Sequence, residues 1–209
     1  MLSSVSQVAA FIANKDTTPV VCDPVVPFKD FDVSRFAGLW YEQMHVVDPQ
    51  EPSYYQCSTA EYTDLSPDAD LADFQDFKVY NSFQSKVLGI WGPRIGVHPK
   101  AKCGPVGDCY VSFAHKAVPT PNLSVLDTDY ENYAIEYWCD TESNLVRLWI
   151  ETREPVVSEE YWSQLYAHAL SLVPSFDEST FMPRVTHGDM CSYHHSSSKL
   201  SDLVESALF

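Results

Sequence analysis

Asn122-Leu-Ser-Val-Leu-Asp-Thr-Asp-Tyr-Glu-Asn-Tyr-Ala-Ile-Glu-Tyr-Trp-Cys139 is the stretch on which the reading of the chain turns. Leu123, Val125 and Leu126 form an apolar run, and the polar cluster from Asp127 to Asn132 interrupts it. Residues 133–139 then resume with β-branched and aromatic side chains, which predicts two strands joined by a turn. Successive side chains of a strand point to opposite faces, so Tyr133, Ile135, Tyr137 and Cys139 share one side and Ala134, Glu136 and Trp138 the other. Both sides carry large apolar groups. A strand with one wet face would not place aromatics on both, whereas a strand of a closed barrel with a filled or ligand-bearing interior does.

Outward from this hairpin, strand signals recur at residues 39–47, 55–65, 74–83, 86–97 and 110–116 before it and at 145–152 after it, making eight with its own two. Pro, Gly, Asp and Asn punctuate them at the spacing of an antiparallel meander. Ahead of the first strand, Asp32 or Ser34 caps a short helical turn that Gly38 releases. After the last strand the period changes. Ser158 is an N-cap, Glu159 and Glu160 suit the positive end of a helix, and Trp162, Leu165, Tyr166, Ala169, Leu172 and Val173 recur at helical spacing until Pro174. Such a lone stripe must lie on something apolar, and the outer wall of a barrel is the surface available. Val5, Val8, Ala9 and Ile12 suggest a short amphipathic helix over residues 3–13 of an N-terminal arm, and Leu200, Leu203, Val204, Ala207 and Leu208 a further stripe in a frayed tail. The predicted organisation is therefore an arm over 1–21, a barrel domain with its flanking helix over 22–191, and a tail over 192–209.

The chain has 209 residues, enough for one domain with a substantial core, and its 45% hydrophobic residues, with 12 Tyr, 11 Phe and 5 Trp, mark a folded, aromatic-rich protein. A formal charge of −16 with only 13 Lys and Arg argues against nucleic acid, because phosphate binding needs clustered cations, and disfavours anionic membrane surfaces. The acidity is read as solubility. No apolar run is long enough for a helix to span a bilayer. Residues 1–21 lack a basic leading region and a sustained apolar core, so a signal segment, if the protein is exported, lies outside this numbering. The cysteines Cys22, Cys57, Cys103, Cys109, Cys139 and Cys191 are widely spread, with no CxxC and no zinc-type Cys/His spacing, which favours disulfides and an oxidising compartment. Their connectivity stays open at this level. His194-His195 lacks companion ligands and predicts no metal site. Asn122-Leu-Ser124 is a glycosylation sequon.

Three separated motifs then carry a resemblance: Gly38-Leu-Trp40 on the first strand, Thr128-Asp-Tyr130 in the turn before the seventh, and Arg153 at the end of the eighth. The longer strings 31–41 and 127–133 match as well. Over residues 22–191 the chain resembles the lipocalins, and within them the apolipoprotein D and insect bilin-binding branch. The resemblance implies an all-β fold, an eight-stranded antiparallel up-and-down barrel closed at one end, with one C-terminal α-helix packed on the outside. It implies that Trp40 lies across the closed end under the Arg153 guanidinium, a cation–π contact of roughly 0.5–2 kcal/mol, and that Gly38, Asp129 and Tyr130 are structural. It pairs Cys22 with Cys139 and Cys57 with Cys191, which leaves Cys103 with Cys109, a pair outside the branch pattern.

An eight-stranded barrel has room for one small molecule where its inward side chains leave space. By motif alignment Tyr62 and Trp149 correspond to pocket-lining aromatics of the resembled branch, and period-two parity adds Phe74 or Phe77, Trp91, Phe113 and Leu126. Such a lining suits a fatty acid, sterol, retinoid, carotenoid or bilin. Arg147 and His115 are read as solvated, with capture of a ligand carboxylate at the mouth as the lesser alternative. The expected function is carriage of a small hydrophobic ligand. No cofactor is required, a bound chromophore or lipid being the allowed guest. The protein is not read as an enzyme, since all six thiols can pair and no His/Asp/Ser constellation appears. Two alternatives remain: an assembly subunit docking a protein partner through its barrel surface and terminal helices, and, lower, a lipocalin-type enzyme acting on a lipid or carotenoid. The compartment is expected to be extracellular or an oxidising organelle lumen, such as that of a plastid.

Overall fold

The structure, a computed structural model, describes residues 20–45, 54–68, 70–71, 73–113, 118–141, 144–176 and 184–193. The helix expected over residues 3–13, the C-terminal stripe at 200–208, His115 and His194-His195 lie outside the described residues. The elements are α1 (Val33–Phe36), β1 (Gly38–Met44), β2 (Tyr55–Pro67), β3 (Gln75–Val87), β4 (Ile90–Val97), β5 (Lys100–Cys103), β6 (Asp108–Ser112), β7 (Leu123–Thr128), β8 (Tyr133–Asp140), β9 (Leu145–Thr152) and α2 (Glu159–Leu172). Each strand pairs antiparallel with its neighbours, and because β2 pairs with both β1 and β3 while β1 pairs with β9, the sheet closes on itself.

Nine strands occupy the eight expected positions. β4 and β5 both pair with β3, at Asn81↔Val97 and Lys78↔Lys100, so they are one line of the wall interrupted at His98-Pro99. Proline has no N–H for the ladder, and the break falls there. The expectation for residues 86–97 therefore placed the start of this line too early, since Lys86 and Val87 still belong to β3, and missed β5.

The closed end is assembled from short-range chemistry. The Asp32 carboxylate caps α1 by accepting from the backbone N–H groups of Ser34 and Arg35. Gly38 follows at φ +104°, and a Cβ there would stand 3.3 Å from Arg153 Nη1. Trp40 is fully buried, its indole N–H donating to Phe36 O at 2.9 Å, and the Arg153 guanidinium lies 3.6 Å from the centre of its ring. Arg153 also donates to the carbonyls of Leu39, Phe36, Ala37 and Tyr130, which ties β1, α1 and the β7–β8 turn to one fork. In that turn Asp129 Oδ1 accepts from the N–H groups of Glu131, Asn132 and Tyr133, while Tyr130 stacks on Phe31 and its hydroxyl accepts from Asp32 N.

Side-chain alternation divides the rest into an inside and an outside. Ile135, Tyr137, Leu148, Ile150 and Met44 face outward and pack under Leu165, Ala169 and Val173 of the α2 segment, which is capped by Ser158. Residues 20–31 form a strap that runs from the open end to the floor. Val20 N donates to Asn144 in the β8–β9 turn, Asp23 N to the Tyr137 hydroxyl, Phe28 N to Val125 O, and Phe31 N to Pro105 O. Disulfides join Cys22 to Cys139, Cys57 to Cys191 and Cys103 to Cys109. Among the described residues no helix is long and apolar enough to cross a membrane.

Candidate ligand-binding cavity

The inward face of each strand contributes alternate residues to a cavity of about 980 Å³. Near the floor these are Phe36, Tyr62, Phe77, Val79, Ala101 and Val125, an apolar lining continuous with the core around Trp40. Higher up, β8 supplies Glu136 and Trp138, β9 supplies Arg147, Trp149 and Glu151, and β1 supplies Glu42. Register places Glu136 opposite Trp149, Trp138 opposite Arg147, and Glu42 opposite Glu151, so three adjacent strands make one polar-aromatic wall. Trp138 and Trp149 are stacked with ring centres 6.2 Å apart, and the Arg147 guanidinium lies 4.4 Å from the Trp138 centre. Phe113 stands 5.6 Å from Trp138.

Of the residues singled out from sequence, Tyr62, Phe77, Phe113 and Trp149 are brought together on this lining. Leu126 is not. β7 turns Leu123 and Val125 inward, so Leu126 points the other way and joins the core beneath α2. Trp91 also lies elsewhere. It pairs with Lys86 in the β3–β4 hairpin, beyond a register shift between Gln84 and Lys86, where the Lys86 ammonium sits 4.9 Å from its ring centre. The β4 residues on the lining begin at Ile95. Phe74, the alternative to Phe77, packs edge-on against Tyr110.

Arg147 corrects the solvated reading: it is 2% exposed and faces the cavity. The sequon is engaged as well. Asn122 Oδ1 accepts from Val111 N and its Nδ2 donates to Val111 O, both at 2.9 Å, so the amide nitrogen a glycan would need is held in the sheet.

Sequence reasoning singled out neither Trp138 nor the carboxylates Glu42, Glu136 and Glu151 for the pocket. The signal was nonetheless there for Glu136, which shares a strand face with Ala134 and Trp138. Glu136 is 4% exposed; burial, and after it the nearby Glu42 charge, push its carboxyl up to about 8. The Tyr62 phenol is raised well above its ordinary range, first by burial and then by the charges of Glu136, Glu151 and Glu42, with Arg153 opposing. Glu42 is bonded in turn to Nδ1 of the buried His45. The site is thus an apolar well with a stacked-indole side wall, three acids at mid-height and a guanidinium beside the indoles.

No protein-family model matches the chain. Insecticyanin-A of Manduca sexta is 32% identical over 145 residues, which cover 66% of this chain and 72% of that protein. The bilin-binding protein of Pieris brassicae is 27% identical over 144 residues, 66% of this chain and 70% of that one. Among solved structures, insecticyanin from the tobacco hornworm Manduca sexta superposes with a TM-score of 0.61 at 26% identity, covering 82% of this chain and 89% of its own. Lobster apocrustacyanin A1 superposes with a TM-score of 0.51 at 19% identity over 83% and 97%, a likeness of fold alone. A closed eight-position barrel with its helix outside, a tryptophan floor under an arginine, and this degree of identity to insecticyanin-A together mean that the chain belongs to the lipocalin family.

Proposed function

We propose that the chain binds and carries a small hydrophobic pigment of the bilin class in its barrel, as a member of the insect bilin-binding branch that also resembles apolipoprotein D. The observation that carries the reading is the wall formed by Trp138, Trp149 and Arg147 above an apolar well. Stacked indoles offer flat faces to a conjugated ring system, and a guanidinium beside them suits a carboxylate on its edge. A guest burying ~300 Å² of apolar surface gains about 8 kcal/mol at ~25 cal/mol per Å², which corresponds to micromolar affinity before ordering costs. The bilin-binding protein among the relatives supports this guest over a fatty acid or sterol.

Carriage rather than catalysis is the role. All six cysteines are joined in disulfides, so none is a nucleophilic thiol. Three disulfides also support an extracellular or other oxidising setting. Titration of the purified chain with biliverdin, retinol and a fatty acid, followed by quenching of intrinsic tryptophan emission, tests the proposal. Biliverdin is expected to bind at micromolar concentration or tighter and ahead of the other two. Quenching by none of the three would overturn carriage, and preference for the fatty acid would overturn the pigment assignment.

A further inference from the structure

The acids of the cavity are more than polarity on a wall. Glu42 and Glu151 are cross-strand neighbours on β1 and β9, Glu136 lies on the adjacent β8, and all three line the same cavity. Each of them acts on the single Tyr62 phenol beneath, which places the three charges within electrostatic reach of one point. The basic groups on the described lining are His45 and Arg147. His45 is bonded to Glu42, and Arg147 stands mouthward, with its guanidinium over Trp138. Carboxyls gathered in a cavity of low dielectric cannot all ionise, and the one that keeps its proton is the one whose neighbours oppose its charge. Burial and the Glu42 charge act on Glu136 in that direction, and among the described residues no hydrogen bond offsets them.

We infer that Glu136 fixes the protonation state of the guest, entering the complex as a neutral acid and giving its proton to a basic imine-type nitrogen of a flat, conjugated ligand lying along Trp138 and Trp149. The step balances: the Oε–H bond of Glu136 breaks, an N–H bond forms on the ligand, no electrons change hands, and a carboxylate–cation pair remains. The inference rests on the barrel reading proposed above. It adds a selection rule, namely that the cavity favours a guest with a basic nitrogen at its centre and an acidic group toward the mouth, where Arg147 stands, over an acyl chain that brings negative charge to mid-height. A bilin, with one imine-type nitrogen among its pyrrole N–H groups and carboxylates on its edge, has that layout. The groups facing Glu136 are Glu42 and His45 from the β1 side, Tyr62 from β2, and Arg147 and Glu151 from β9. A guest cation would balance Glu136 while leaving the Glu42–His45 pair intact.

The test is the absorption spectrum of the biliverdin complex against pH for the wild type and for Glu136→Gln, with near-ultraviolet circular dichroism as the check on folding. In the wild type, the spectrum of the protonated pigment is expected to persist about two to three pH units above the transition of free biliverdin. In Glu136→Gln, the transition is expected to return to near that of the free pigment while tryptophan quenching still reports binding. Should the variant fail to fold, infrared spectroscopy of the wild type labelled with carbon-13 glutamate reads the same event as loss of a protonated-carboxyl band on biliverdin binding. Coincident transitions in wild type and variant, both binding, or a carboxyl band that survives binding, overturn the inference and leave carriage standing. Absence of quenching by biliverdin, retinol and the fatty acid alike overturns both.

Discussion

Glu136 shows how a single residue is written into both stability and selectivity. Its carboxyl is raised from 4.5 to about 8 in the folded chain, so the fold favours its neutral form. Below about 4.5 the folded and unfolded chains both hold the proton and nothing is lost. Between there and about 8 the unfolded chain releases it first, so stability falls as pH rises. Above about 8 both states are ionised and the loss is complete. Glu136→Gln, which cannot ionise, is therefore expected to stabilise the empty barrel by a few kcal/mol at pH 9 and to leave it nearly unchanged at pH 4, as read from denaturant midpoints at the two pH values. At this scale the sequence was uneven. Gly38, Trp40, Asp129, Tyr130 and Arg153 were singled out through the motifs that carry the family resemblance, which local periodicity alone would not have done. Arg147 was misread because an arginine in a strand is ordinarily wet, although period two from Trp149, itself expected on the lining, puts it on the same face, where the two indoles cover it.

Among the elements, the clearest experiment compares two apolar side chains on opposite sides of the barrel wall. Leu126 is buried beneath α2, whereas Phe77 on β3 faces the well. Leu126→Ala is expected to cost about 2–5 kcal/mol of stability in chemical denaturation and to leave biliverdin affinity within about twofold. Phe77→Ala is expected to weaken that affinity by about tenfold, measured by tryptophan quenching, because the guest loses a ring to pack against. The existence of the strands and of α2 was readable from period two and period 3.6, each being a local property. The facing of Leu126 and the split of β4 from β5 were not. Register shifts between Val125 and Asp127, between Gln84 and Lys86, and between Glu42 and Met44 reset the alternation partway along, so parity counted from one motif does not carry to the next strand.

For the molecule as a whole, closure was legible through the resemblance that three separated motifs carry, and in the structure those motifs meet around Arg153 at the floor. The hollow was not, since its emptiness depends on side-chain volumes summed over every inward position. The same closure gives the strap of residues 20–31 its importance. It is bonded to β8 through Cys22 and Cys139 near the rim, while its lower part is held by hydrogen bonds to Val125 and Pro105 and by Phe31 packing on Phe36 of α1. The loop that disulfide closes spans 117 residues and contributes about 4–5 kcal/mol in the chain-entropy account, against roughly 2 kcal/mol for the six-residue separation of Cys103 and Cys109. Mild reduction is expected to raise hydrogen exchange over residues 20–26 before residues 28–36 respond, followed by mass spectrometry of peptic fragments; simultaneous loss would contradict this order. The molecule accordingly has a direction of undoing. On that expectation a thiol reagent would unbutton it from the lip downward, and a pigment would begin to leak while the base of the cup was still intact.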